Sequence, residues 1–315
     1  MKKMKLLFLT AFLLSGLTGC KNKRKYDYDG KGVLVSSTLY QYTRDGKTNE
    51  SRTDTIYDEN GKELFVYYYR NSDTKPYACI TNKYNEKGQI TKSDYDYSYN
   101  GVVITTEYEY DNELLTKETS NGINGKTKTY TYDENKNLIT VLEDSGNGFN
   151  RDIKIEYEYY DNNNLKCKIY YMSEDYEKDG WKATEKYEYT YDEIRSAVNE
   201  LYYSYNEESD SFDLSFKNEY FYDDNSTLLE SFRYVYSTTD GTWKYILKTE
   251  NIYEKNKKIK YVCWIWKENE SWEESTKIDY KYDKKNNLIL ETHYSNKSGS
   301  MRITEKEEIK YTYYK

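Results

Sequence analysis

Lys186-Tyr187-Glu188-Tyr189-Thr190-Tyr191-Asp192 is the stretch that decides the fold. Side chains of an extended chain alternate with a period of two, so Tyr187, Tyr189 and Tyr191 share one face. Lys186, Glu188 and Thr190 share the other. Rings on one side and charge or hydroxyl on the other read as a strand with one face in water. Asp192 follows as a turn opener, because an Asp carboxylate accepts bonds from backbone amides two residues on.

Working outward, the same run of Tyr, a polar turn and a new strand recurs along the chain. Its marker tyrosine falls at Tyr28, Tyr57, Tyr84, Tyr110, Tyr132, Tyr160, Tyr191, Tyr222, Tyr253, Tyr282 and Tyr313, at intervals of 22 to 31 residues. Turns such as Asp58-Glu59-Asn60-Gly61 and Asp283-Lys284-Lys285-Asn286 follow it. Leu64, Ile90, Leu138, Leu165, Leu228, Ile259 and Leu288 then restart the alternation. A second marker lies halfway round each later unit: Phe149, Trp181, Phe212, Trp243, Trp272 and Met301. Two markers with one period define a hairpin repeat, which runs out from Leu or Ile, round a polar tip and back into Tyr. No segment after the leader carries a helical period.

The leader is a targeting signal. Lys2, Lys3 and Lys5 precede a mostly apolar run, Leu6 to Leu17, too short for the roughly 20 residues of a membrane span. It ends Leu17-Thr18-Gly19-Cys20, which resembles the bacterial lipobox, so residues 1–19 are expected to be removed and Cys20 to carry lipid. Several acyl chains on one residue anchor stably where a single chain would not. Residues 20–27, with Lys21, Lys23, Arg24 and Lys25, form a basic tether beside lipid headgroups, and 28–315 form one repeat domain.

Composition excludes several function classes. The formal charge is −8, and loss of the three leader lysines makes it −11, which argues against nucleic acid. Tyr supplies 42 of the 315 residues, Pro one, and mean hydropathy is −1.09. Such aromatic richness opposes disorder, so the chain is read as folded with a thin core. Cys79, Cys167 and Cys263 are too few and too scattered for a disulfide framework, and any bridge among them is left open. The repeated aspartates (Asp58, Asp111, Asp133, Asp161, Asp192, Asp223, Asp283) occur once per unit and suit turn capping better than catalysis or calcium. His293 is the only histidine and lacks a partner His or Cys at metal-ligand spacing. No catalytic residue, metal or cofactor is therefore expected.

The recurring Tyr-Asp turn followed by Leu resembles the bacterial YD (Tyr-Asp) repeats, which also occur in RHS-type wall and toxin proteins. The likeness covers about residues 26–315, with a longer period and fewer turn glycines than short YD repeats. It is similar also to longer envelope hairpin repeats with a Trp halfway round. The resemblance implies an extracytoplasmic structural or binding role and no catalytic residues.

About ten hairpins imply roughly 20 strands. The expected architecture is all-β: an elongated antiparallel meander forming a twisted or curled open sheet, with closure disfavoured because no closing device is visible. The expected role is that of a membrane-anchored, non-enzymatic lipoprotein of the cell envelope, with outer membrane as its address and its facing left open. It would bind glycan or protein through the aromatics Phe149, Trp181, Phe212, Trp243 and Trp272. The alternatives are a passive spacer of the envelope and a toxin-associated encapsulating or immunity protein.

Overall fold

The computed structural model describes residues 34–42, 49–71, 73–97, 101–122, 125–146, 151–173, 180–191, 198–297 and 299–313. The first ten strands are β1 (Leu34–Tyr42), β2 (Asn49–Tyr57), β3 (Glu63–Arg70), β4 (Ala78–Tyr84), β5 (Ile90–Tyr97), β6 (Val103–Asp111), β7 (Leu114–Ser120), β8 (Thr127–Tyr132), β9 (Leu138–Asp144) and β10 (Asp152–Tyr159). The rest are β11 (Leu165–Ser173), β12 (Lys182–Tyr191), β13 (Val198–Asn206), β14 (Ser211–Tyr222), β15 (Leu228–Ser237), β16 (Thr242–Glu254), β17 (Lys257–Trp266), β18 (Trp272–Tyr282), β19 (Leu288–Lys297) and β20 (Ser300–Tyr313). Each strand pairs antiparallel with the next, and β20 pairs back onto β1 from Leu34↔Tyr313 to Tyr42↔Lys306.

The chain is thus a closed 20-stranded antiparallel barrel, which overturns the expected open or curled sheet. Among the described residues the strands and corners lie where the alternation places them, while Tyr28 and Asp192 lie outside those residues; the closure was missed. Its physical source is a bulge in most of the hairpins. At eight corners on the Tyr-Asp rim the register slips immediately before the last tyrosine of the incoming strand, as between Ile56 and Tyr57 or Lys281 and Tyr282. The unpaired extra residue is the second of the outgoing strand or next to it: Leu64, Thr91, Thr116, Ile139, Lys166, Leu229, Ile259 or Ile289. Hairpins at the opposite rim slip too, leaving Thr184, Ser215, Ile246, Ser275 and Thr304 unpaired. A bulge bends its strand and raises the local twist, and bulges repeated around a sheet curl it. Where the extra residue is Thr, its hydroxyl bonds the facing carbonyl, as from Thr116 to Glu109 (3.1 Å) and Thr184 to Tyr170 (3.2 Å). Twenty strands about 4.8 Å apart and tilted about 40° make a ring about 40 Å across if circular.

The corners explain the Tyr-Asp signature. Asp58 Oδ1 accepts the N–H groups of Asn60 and Lys62, both at 2.8 Å. Asp223 does the same for Asn225 and Thr227, and Asp283 for Lys285 and Asn287. The fourth corner residue is left-handed, at φ 77° in Gly61, yet also at 65° in Lys136 and 61° in Ser226. Tyrosine hydroxyls latch five of the corners to a neighbour. Tyr84 donates to the carbonyl of Glu63 (2.9 Å), Tyr132 to Leu115 (2.8 Å) and Tyr159 to Leu138 (2.9 Å). Tyr282 donates to Lys258 (2.8 Å) and Tyr311 to Leu288 (2.9 Å).

A single wall has no central core. The buried apolar side chains among the described residues are scattered: Val66, Tyr69, Ala78, Cys79, Tyr97, Cys167, Tyr234, Val262 and Cys263. Cys167 and Cys263 are free, so no bridge joins any two of these three cysteines.

Candidate functional site

The two faces of the wall differ. On one, mid-strand Glu107, Glu109, Thr129, Thr131, Glu158, Thr190 and Lys281 are exposed. On the other, with few exceptions such as Arg233, side chains in the same positions are half-buried or buried. Side chains fan apart on a convex surface and crowd on a concave one, so the first face is the outer wall and the second lines the lumen.

Ion pairs two residues apart run around the outer wall. They include Lys154–Glu156 (2.9 Å), Lys186–Glu188 (2.6 Å), Lys217–Glu219 (2.7 Å) and Lys277–Asp279 (3.3 Å). Each of these lysines also lies over the tyrosine paired with it on the next strand: Tyr171 at 4.3 Å, Tyr203 at 5.2 Å, Tyr234 at 4.4 Å and Tyr294 at 4.1 Å. The Tyr203 and Tyr234 hydroxyls donate to Glu188 (2.7 Å) and Glu219 (2.6 Å). Burial raises these two carboxyls, but the lysine and the phenol more than offset it and hold both below the usual range. The even spacing of this three-residue unit is the repeat seen as chemistry.

Of the expected ligand-binding aromatics, Phe149 lies outside the described residues. Trp181, Phe212, Trp243 and Trp272 are half-buried on the outer wall at the rim opposite the Tyr-Asp corners. Three of them are occupied sideways rather than offered as a row. Trp181 lies 5.5 Å from Lys154; Phe212 meets Tyr205 edge-on at 5.4 Å; Trp243 meets Tyr236 at 5.1 Å. Trp272 is different. It packs on Trp266 (5.0 Å), Tyr245 (5.6 Å) and Phe232 (6.3 Å), and Phe221 extends the group beyond Phe232 (5.8 Å). Tyr245 is 43% exposed and Phe221 38%. This aromatic patch spans β14 to β18. Sequence reading singled out only Trp272 from it, although the alternating Trp264-Ile265-Trp266 was a visible signal.

The lumen is lined by tyrosine. Tyr170, Tyr187, Tyr202 and Phe216 contact in series across β11 to β14, with ring centroids 5.8, 5.1 and 5.7 Å apart. Burial pushes the Tyr108, Tyr157 and Tyr280 phenols up to about 12. Glu200 collects the hydroxyls of Tyr189 (3.2 Å) and Tyr220 (2.9 Å) and the Asn218 amide (3.0 Å). Burial holds the Lys168 ammonium below its usual range, 4.1 Å from the Tyr187 ring. Near the closing seam Glu291, His293 and Glu307 bring one ligand atom each within 4.8 Å of one another.

No family model and no curated protein matches the sequence. Solved structures do resemble parts of the fold. A porin-like protein from Bacteroides uniformis aligns over 90% of this chain and 99% of its own, at 10% identity and a TM-score of 0.38. A protein of unknown function from Bacteroides fragilis covers half of this chain at 14% identity and a TM-score of 0.25. The TcdB2-TccC3 structure covers 88% of this chain at 14% identity and a TM-score of 0.34, and this chain spans 17% of its length.

The outer wall separates this barrel from one built to sit in lipid. A transmembrane barrel carries an apolar outward band about 25 Å tall, and a Lys or Arg at its middle costs about 2–4 kcal/mol. Here Lys154, Lys186, Lys217, Lys248 and Lys277 all stand on that face, paired with carboxylates.

Proposed function

We propose that this chain is a non-catalytic envelope lipoprotein, a water-standing barrel tethered through acylated Cys20, that recognises glycan with its outer wall. The observation that carries the reading is the patch of Phe221, Phe232, Tyr245, Trp266 and Trp272. Flat rings offered to solvent beside carboxylates and lysines suit sugars, whose C–H faces stack on aromatics while their hydroxyls bond charged neighbours. The patch stays in contact with water at Tyr245 and Phe221, where an apolar core cluster would be closed over.

A glycan array probed with the soluble chain tests this. Saturable binding that falls at least tenfold in Tyr245→Ala plus Trp272→Ala supports the reading. Binding unchanged by that pair removes the patch from the account. A blank array favours the second reading, a rigid spacer, which is supported by the closed ring and its lack of free sheet edges. Anchoring is tested separately. Cys20→Ser should release the protein into the aqueous fraction of lysed cells, and a variant that stays with the membrane refutes the water-standing wall.

A further inference from the structure

We propose that Glu291, His293 and Glu307 form a divalent transition-metal site on the inner wall, filled by zinc or an ion of similar preference. Glu291 and Glu307 face each other directly across β19 and β20, and both belong to the lumen-facing alternation. Like charges directly opposite on a sheet destabilise it unless something positive lies between them. His293 sits two residues from Glu291 on the same face, with its Nε2 3.4 Å from a Glu291 oxygen. That Nε2 is screened from solvent and makes no hydrogen bond. The ligand atoms of all three residues lie within 4.8 Å of one another, a cluster tight enough to converge on a single ion.

The surroundings fit a first coordination shell. The Gln41 side-chain amide donates to Glu307 at 2.9 Å and fixes that carboxylate from the β1 side of the seam. A ligating carboxylate is ordinarily oriented in this way. Glu305, paired with His293, adds further negative charge. The competing cation is Lys258, whose ammonium lies 5.2 Å from the Tyr280 ring and also draws on Glu291. One imidazole and two carboxylates leave positions open toward the lumen, and the mix of N and O donors favours zinc, manganese or iron over calcium.

The ion would tie β19 to β20, and Gln41 of β1 would hold one of its ligands from across the seam at which the ring closes. This proposal is independent of the glycan reading, which concerns the other face of the wall. The test is calorimetric titration of chelator-stripped mature chain with Zn2+, with Co2+ as a spectroscopic probe. The expected result is one saturable site per chain, a rise in melting temperature with Zn2+, and visible Co2+ absorption. His293→Ala and Glu307→Gln should each weaken binding at least tenfold and abolish the melting shift. Glu200→Gln, on the same wall but away from the seam, should leave both unchanged. No saturable binding overturns the proposal, as does Zn2+ binding unaffected by His293→Ala, which would place the ion elsewhere. Circular dichroism confirms that each variant keeps its strands, and a variant that unfolds is replaced by His293→Gln.

Discussion

Five tyrosine hydroxyls, on Tyr84, Tyr132, Tyr159, Tyr282 and Tyr311, tie one corner to the next by donating to a backbone carbonyl. Replacing all five by Phe keeps every ring and removes only the hydroxyl. A neutral hydrogen bond of this kind contributes about 1 kcal/mol net, and sites this far apart add nearly independently. The fivefold variant should therefore lose about 5 kcal/mol, a large share of the roughly 5–15 kcal/mol by which a folded protein exceeds its unfolded state. In urea, with a slope of about 3 kcal/mol per molar for a chain this long, the midpoint should fall by about 1.7 M. The control is Tyr170→Phe plus Tyr202→Phe, whose rings stack in the lumen without a latch to a carbonyl. That control should stay within about 0.5 kcal/mol of the parent. A fivefold variant that unfolds within about 1 kcal/mol of the parent would refute the latching role, and the tyrosines would then serve by ring packing alone.

Three further outcomes are expected. Lys136→Gly and Ser226→Gly relieve left-handed residues at two corners and should each raise stability by about 1 kcal/mol, read from the denaturation midpoint, whereas Gly61→Ala should lower it by a similar amount. Burial favours the neutral phenols of Tyr108, Tyr157 and Tyr280, so their contribution is complete below about pH 10 and lost as pH climbs toward about 12. Tyrosinate absorbance should rise steeply in that window together with loss of the β-sheet signal, and a gradual rise centred on pH 10 with the fold intact would contradict the burial. Ending the chain at residue 299 removes β20 and leaves β1 and β19 each with one open edge. Such edges template pairing between chains, so light scattering should report larger species for the truncated chain than for the full chain.

The hairpins were legible because Tyr-x-Tyr alternation and Asp-led corners act over a few residues, and strand pairing follows chain order. Closure was not, because it rests on contacts such as Thr38↔Lys310 that no local pattern announces. A partial signal existed. Leu228-Leu229, Leu138-Ile139 and Leu288-Ile289 each break the two-residue alternation just after a corner, and the second member is the bulged residue in every case. The aromatic markers were legible in their spacing, but not the neighbours each ring would meet: Phe212 and Trp243 make T-shaped contacts with Tyr205 and Tyr236. His293 looked incidental in the sequence because its neighbour Glu307 becomes adjacent only through the β19–β20 ladder.

The seam between β20 and β1 is an antiparallel backbone ladder like the nineteen others. Copy number is therefore free to drift. A tandem duplication of one coding unit would insert two strands, lengthen the perimeter by about 12 Å and widen the bore by about 4 Å, without any new joint to evolve. Relatives of this gene should accordingly differ in steps of about thirty codons, each step a wider or narrower pipe.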